Sequence, residues 1–268
     1  NVSLKGGLKY QITDDAQVFG TISEGFKSGG FNGRVADGQL NPYDEETLTS
    51  YEVGTKTQWL DDRLRLNGAF FYTRYDNMQV SSFEASADGL SFIPVFTSAG
   101  KATIKGAELE LTALLTDRLT LVSNVGYLDA SYDEFFAEPD PVSGEVVDVS
   151  DQRKVVNSPK WDTFLGLSYR IPVGSAGDLT AAANWGHRSK TYLEINSSEN
   201  LAQGAYSVYD ASVTFNSSNE RWRVILGGKN LTDENYRTHA FDLSAFPGVE
   251  LGYYNPPRTY RLFVSYQF

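Results

Sequence analysis

Reactive side chains are scarce in this sequence. Its 268 residues include no cysteine, one methionine and only two histidines, His187 and His239. Neither histidine stands at a motif spacing from a serine or a carboxylate, so no nucleophile and base pair can be assembled. Lys27-Ser28 lacks the preceding glycines of a phosphate loop. No catalytic residue, cofactor or metal is therefore assigned, and the chain is not expected to be an enzyme. What remains is recognition chemistry. Aromatic and cationic residues stand together in three stretches: Phe31 with Arg34, Arg188 with Tyr192, and Arg237, His239, Phe241, Phe246, Tyr253 and Tyr254 near the end. Aromatic faces beside a guanidinium suit an anionic ligand that also carries apolar groups. Two readings of His239 stand side by side: a ligand to haem iron, or a loop histidine of no special role.

Charge narrows the classes further. A net charge of -11 disfavours nucleic acid, which needs a basic face. Between Ser131 and Asp151 stand seven acidic residues (Asp133, Glu134, Glu138, Asp140, Glu145, Asp148 and Asp151) and no Lys or Arg. This stretch reads either as a solvated loop or as a weak divalent-cation site without EF-hand spacing.

These residues need a scaffold, and the last ten residues define it. In Thr259 to Phe268 the even positions Tyr260, Leu262, Val264, Tyr266 and Phe268 are apolar or aromatic, with Arg261, Ser265 and Gln267 between them and Phe263 the one exception. Such alternation gives a strand one apolar and one polar face. Its length is that of a tilted membrane-crossing strand, about 9 to 11 residues. No run approaches the about 18 apolar residues of a membrane helix, yet barrel strands escape that test because half of each is polar.

The same pattern recurs along the chain. Strands are expected over Val2–Gln11, Ala16–Glu24, Ser50–Trp59, Arg63–Ser81, Thr103–Leu115, Leu119–Ala130, Trp161–Ile171, Leu179–Ile195, Tyr206–Phe215, Trp222–Asn230 and the terminal segment. The facing of the second is not fixed, because both of its registers carry apolar residues. Connections alternate short and long: tight turns at Thr13-Asp14-Asp15, Asp61-Asp62, Thr116-Asp117, Pro172–Gly177 and Ser217–Asn219, with long loops between. Short turns on one rim and long loops on the other describe an all-β transmembrane antiparallel β-barrel in an outer membrane. A β-sandwich has shorter strands and no reason to sort its loops by length.

With Phe268 at the periplasmic rim, Tyr10, Trp59, Tyr169, Phe215, Trp222 and Phe268 all lie at that rim and can face outward as an aromatic girdle. Glu52, Lys56, Arg65, Glu108, Glu110, Arg170, Arg223 and Lys229 then face the lumen, either as contacts for a filling domain or as generic lumen polarity. The bacterial single-chain rule of an even strand number is not met by eleven strands, so the chain is expected to be half of a larger barrel. Opening in strand pattern at Asn1-Val2-Ser3-Leu4, it reads as a piece of a longer protein lacking an N-terminal part.

Six stretches, in order along nearly the whole chain, resemble the C-terminal part of the TonB-dependent receptors, the active transporters of the outer membrane. They are Gly25–Asn32 (GFKSGGFN), Thr49–Lys56 (TSYEVGTK), Ala69–Tyr72 leading to Met78-Gln79-Val80, Gly106–Leu111 (GAELEL), Lys229–Tyr236 (KNLTDENY), and Pro256–Tyr260 with the terminal Phe268. The resemblance implies a barrel of about 22 strands, filled by an N-terminal plug domain absent here. It also implies energy delivered by the TonB complex through a box upstream of Asn1, and a single-domain barrel portion over residues 1–268, expected to act as a monomer. Tyr260, Leu262, Val264, Tyr266 and Phe268 resemble the signal read by the barrel-assembly machinery. Outer-membrane lipid and lipopolysaccharide are the expected surroundings, and a Gram-negative outer membrane the expected location. Resemblance and loop chemistry together suggest a ferric siderophore as cargo; a carbohydrate, a vitamin or haem is the alternative. A passive porin and a structural or adhesin barrel are readings from another class.

Overall fold

The computed structural model describes residues 2–33, 41–85, 92–98, 100–136, 145–243 and 249–268. In chain order the strands are β1 (Lys5–Thr13), β2 (Ala16–Lys27), β3 (Gly30–Asn32), β4 (Asn41–Tyr43), β5 (Glu46–Trp59), β6 (Leu64–Asp76), β7 (Gln79–Ala85), β8 (Phe92–Ser98) and β9 (Gly100–Leu114). They continue as β10 (Leu119–Phe135), β11 (Trp161–Pro172), β12 (Gly177–Arg188), β13 (Tyr206–Ser217), β14 (Trp222–Lys229), β15 (Arg237–Asp242), β16 (Glu250–Tyr254) and β17 (Thr259–Tyr266). Eleven of them form one sheet in the order β1-β2-β5-β6-β9-β10-β11-β12-β13-β14-β17. Every long strand pairs antiparallel with the next long one, as in an up-and-down barrel wall. The other six make three hairpins, β3–β4, β7–β8 and β15–β16, all in the long connections. No helix among the described residues is long and apolar enough to cross a membrane, a test that strands are not subject to.

All eleven expected long strands are present, with shifted ends. The expected strand to Ser81 stops at Asp76, because Asn77 turns into the left-handed region (φ 53°) and β7 starts a separate hairpin. The expected strand to Ile195 stops at Arg188, since the chain folds back and Thr191 bridges Gln203. The sixth runs on to Phe135, so the acidic stretch begins inside a strand. Short turns close the opposite rim. At one of them Leu60, Asp61 and Asp62 all have positive φ (58°, 54° and 64°), tolerated best by the short polar Asp side chains. At another, Gly177 has φ 138°, and a Cβ there would collide with the Asn216 carbonyl.

Register settles the facing of β2. Gly20 pairs with Val53, Val53 with Phe70, Phe70 with Ala107, Ala107 with Tyr127 and Tyr127 with Trp161, so Val18, Gly20 and Ile22 share the apolar face. Gln17, Phe19 and Thr21 take the polar face. Leu8 is 86 % exposed and Leu262 66 % exposed on the apolar face. That surface would be costly in water and is at home in lipid. Among the described residues no large side chain is fully buried; the small apolar clusters sit at the loop-bearing rim, one around Val80, Ala102, Tyr132, Phe135, Val155 and Ile195, the other of Leu193, Leu201 and Ala240.

The six girdle residues lie on the apolar face, and their spacing fixes the strand tilt. Tyr10 is in register with Thr163 six strand steps away, yet the girdle residue of β11 is Tyr169, six residues further on. Two steps later the same row meets Ser207, eight residues before Phe215. Over these eight steps the rim thus drifts by about one residue per strand on average. With strands about 4.8 Å apart and a rise of about 3.4 Å per residue, the girdle is level only if the strands tilt by about 35°. Tyr51, Tyr72, Tyr127, Trp161, Trp185 and Tyr209 form a second aromatic band on the same face near the loop rim. Tyr127 and Trp161 pack with ring centroids 4.9 Å apart.

Candidate functional site

The candidate site is the group of loops on one rim. The loop between β2 and β5 is clamped to the β7–β8 hairpin. Asn32, buried, donates from Nδ2 to the Phe96 carbonyl (2.9 Å) and accepts from the Phe96 N–H (2.8 Å), like one more rung of a ladder. Gln79 donates through Nε2 to the carbonyls of Ser28 (3.0 Å) and Asp44 (2.9 Å), while its N–H donates to Glu46 Oε2 (2.6 Å). Gly29 is needed for this closeness: a Cβ would lie 2.6 Å from the Tyr43 carbonyl oxygen.

The base of the last loop is built around Asn230. Its Nδ2 donates to the Glu234 carbonyl, its Oδ1 accepts from the Glu234 N–H, both at 2.9 Å, and its own N–H donates to Asp210. Asp233 accepts from the Arg258 N–H (2.8 Å), and the Arg258 guanidinium donates to the Leu231 carbonyl (3.2 Å). These contacts explain why KNLTDENY and the Pro256–Tyr260 stretch stand together: they close one loop at its neck.

Arg237 joins two loops. Its N–H donates to Gln203 Oε1 (2.7 Å) and its Nη1 to the carbonyls of Asn200 (2.5 Å) and Ala202 (2.9 Å), while Nε donates to the Tyr254 hydroxyl (3.1 Å). Asn196 adds a second tie, donating to Asp242 Oδ2 at 2.8 Å. Arg188 pairs with Asp162 through Nε and Nη2 (2.8 and 2.6 Å). Tyr192 does not meet Arg188 but donates to Glu199 Oε1 (2.7 Å), beneath Lys190, whose Nζ lies 4.8 Å from the ring centroid. Hydrogen bonds from Lys190 and Tyr192 hold the Glu199 carboxyl below its ordinary range.

His239 stacks edge-on against Phe241 (4.4 Å) and lies 6.2 Å from Tyr253; Phe241 meets Tyr253 at 5.8 Å. His239 and Phe241 line a cavity of about 310 Å³, with Met78, Val80, Tyr132 and Ile195 on its apolar side and Gln79, Glu194 and Asp242 on its polar side. Burial pushes the Glu194 carboxyl up, opposed by two short bonds (2.6 Å) from the N–H groups of Ser198 and Asn196. Phe31 is 64 % exposed beside the β7–β8 hairpin. Arg34 and Phe246 lie outside the described residues, as do Glu138 and Asp140 of the acidic stretch. In that stretch Asp148 accepts from the N–H groups of Phe135 (3.0 Å) and Ser150 (2.9 Å), which hold its carboxyl below the ordinary range. Among the described residues no group of three His, Asp or Glu side chains is placed to hold a metal ion.

The polar face carries the second set of candidates. Register puts Glu52, Lys56, Arg65, Glu108, Glu110, Arg170, Arg223 and Lys229 on this face. Glu110 accepts from Asn67 (3.2 Å), and Arg170 pairs with Asp178 (3.2 Å). Lys5, Lys9 and Lys56 face Glu52, Glu108 and Glu110 across a concavity of about 510 Å³. Gln17 also lines that concavity, and its buried Oε1 has no hydrogen-bond partner among the described residues.

Sequence reasoning passed over Glu194, and it gave Asn32, Gln79 and Asn230 no role beyond a place in a motif. Gln79 and Asn230 had a signal in the motifs that contain them. Glu194 had none, since its partners are turn N–H groups that only the fold-back at Thr191 supplies.

A sheet with one apolar, aromatic-banded face, one charged face, and all its long loops at a single rim defines a transmembrane β-barrel wall. The chain belongs to the TonB dependent receptor-like β-barrel family, whose model matches residues 1–231. That family is one of transport receptors, not enzymes. Among its relatives, the probable TonB-dependent siderophore receptor PiuA of Acinetobacter baumannii is 24 % identical over 248 residues, 90 % of this chain and 31 % of PiuA. The pesticin receptor of Yersinia pestis is 27 % identical over 249 residues, 91 % of this chain and 33 % of that protein. Among solved structures, the ferric yersiniabactin uptake receptor FyuA from Yersinia pestis superposes with a TM-score of 0.75 at 22 % identity, covering 99 % of this chain and 37 % of FyuA. The chain spans about a third of the length of the curated relatives it matches.

Proposed function

We propose that this chain is the loop-bearing C-terminal wall of an outer-membrane receptor of a Gram-negative bacterium that takes up a ferric siderophore with energy delivered by TonB. The loop cavity carries the reading. It joins His239 and Phe241, with Tyr253 packed against Phe241, to polar groups at the mouth of the wall. A chelate with a polar, metal-binding face and an apolar periphery fits such a lining. Arg188 and Arg237 order the loops through Asp162 and the loop carbonyls, and a ligand in the cavity then meets aromatic, amide and carboxylate groups. The charged wall around Glu52, Lys56, Glu108 and Glu110 is the surface for a plug domain, whose polar groups would meet the lysines and glutamates of the concavity. The barrel-assembly machinery is the proposed reader of the strand ending in Phe268.

Whole-cell uptake of radiolabelled iron as ferric siderophores by the full-length receptor, with and without TonB, tests this. TonB-dependent accumulation is expected. Accumulation of a sugar, a vitamin or haem in place of iron keeps the receptor class and overturns the cargo; transport independent of TonB overturns the class.

A further inference from the structure

The loop cavity is lined by acids and by no base. Among the described residues no Lys or Arg borders its volume of about 310 Å³, whereas Glu194 and Asp242 both do. The cations of the neighbouring segments are engaged elsewhere: Arg237 with loop carbonyls, Arg188 with Asp162 and Lys190 with Glu199. Arg153 and Lys154 precede the lining residue Val155 without lining the cavity themselves, and the Arg153 guanidinium lies 5.9 Å from the Phe135 ring centroid.

Glu194 is only 8 % exposed, yet no ion pair joins it to a cation among the described residues. The N–H groups of Asn196 and Ser198 favour its ionised form, as does the charge of Arg153, while burial and the Asp242 charge oppose it. A cation brought into the cavity would stabilise that carboxylate, because a buried charge is costly until it is paired. The apolar side, formed by Met78, Val80, Tyr132 and Ile195, is a lining for methylene groups. The volume lies at the small end of the range for ligand pockets, about 300–1,000 Å³, so it suits one arm of a chelate and not the whole of it.

Resting on the siderophore reading, we infer that this cavity takes a protonated alkylamine arm of the ferric chelate. Its methylenes lie on Met78, Val80, Tyr132 and Ile195, and its ammonium donates to the carboxylates of Glu194 and Asp242. An ammonium has three N–H donors, enough for both acids and one amide of the lining. The arm is thus cationic, in contrast to the anionic ligand suggested by the nearness of arginines and aromatic residues in the sequence.

The test is binding to the full-length receptor in detergent, read by quenching of tryptophan fluorescence. The probes are three ferric chelates with one iron core: a linear trihydroxamate ending in a pentylamine, its N-acetylated form and its N-succinylated form. Their arms are cationic, neutral and anionic in turn. The amine is expected to bind about tenfold more tightly than the acetylated form, the scale of one charge-assisted hydrogen bond, and the succinylated form to bind more weakly still. E194Q and D242N are each expected to remove most of the amine's advantage; D242N decides if E194Q unsettles the turn at Asn196 and Ser198. Equal affinities, tighter binding of the succinylated form, or an amine preference that survives the substitutions overturns the inference. Failure of all three chelates to bind overturns it as well. Uptake of radiolabelled iron judges the siderophore reading separately, so that reading can stand where the arm assignment falls.

Discussion

Asn230 shows how a single side chain can hold a loop. It sits at positive φ (51°), where Asn is better tolerated than most residues, and spends both ends of its amide on Glu234. Asn230→Ala removes both bonds and leaves a buried N–H and carbonyl without them, which costs about 1–3 kcal/mol. The expected readout is a lower unfolding temperature, with proteolysis appearing at residues 231–236, and Asn230→Asp falling between the two. Asp148 makes a different prediction, in pH. Its folded carboxyl is held below the ordinary value by the Phe135 and Ser150 N–H groups, so its contribution is present above the usual carboxylate range. It is lost as pH falls through the depressed folded value. Hydrogen exchange over residues 145–152 is expected to accelerate in that acid window, and Asp148→Asn to abolish the pH dependence there.

At the scale of the strands, the register makes the two faces inequivalent within one residue. Val213 lies between Tyr209 and Phe215 on the apolar face, and Thr214 is its neighbour on the polar one. Val213→Arg is expected to destabilise the full-length barrel by about 2–4 kcal/mol, the cost of a cation at the lipid midplane. Thr214→Arg is expected to cost far less, and equal effects in urea unfolding from lipid would contradict the register. At the end of the last strand, Phe268 is wholly exposed and Tyr266 packs on it at 5.1 Å. Phe268→Ala is expected to lower the heat-modifiable, assembled fraction in cells without changing the unfolding midpoint of what does assemble. The staves were legible in the sequence because membrane strands are long and keep a period of two, as Thr259 to Phe268 does. The loop architecture was not legible, because it rests on contacts between distant segments: Asn32 meets Phe96 64 residues away, and Arg237 meets Asn200 37 residues away. The partners of Arg237 and Arg188 were hidden for the same reason; nothing local reveals the loop carbonyls or an Asp162 brought in by another strand.

For the whole molecule, the loops are tied in pairs. Arg237 ties the segment after β12 to the last loop, Asn196 and Asp242 tie it again, and Gln79 ties the β7–β8 hairpin to the segment after β2. A ligand that shifts one loop must shift its partner. The chain has no cysteine, so Asn196→Cys with Asp242→Cys gives a clean thiol pair in this part of the receptor. Joining them with a short reversible cross-linker is expected to slow ligand entry several-fold in whole-cell uptake, with recovery on reduction. Unchanged uptake would show that these two loops need not part.

The one-residue drift of the girdle per strand has a consequence for size. Closed by further strands into the ring of about 22 staves that the family resemblance implies, a wall spaced about 4.8 Å and tilted about 35° would have a circumference of about 130 Å and a backbone diameter of about 40 Å. After inward side chains are allowed for, the bore is still about as wide as a small folded domain. A hole of that calibre, left open, would pass antibiotics and detergents as readily as nutrients. On the proposed reading, the plug domain is the stopper that a bore of this calibre calls for, and selective passage is governed by how that stopper yields.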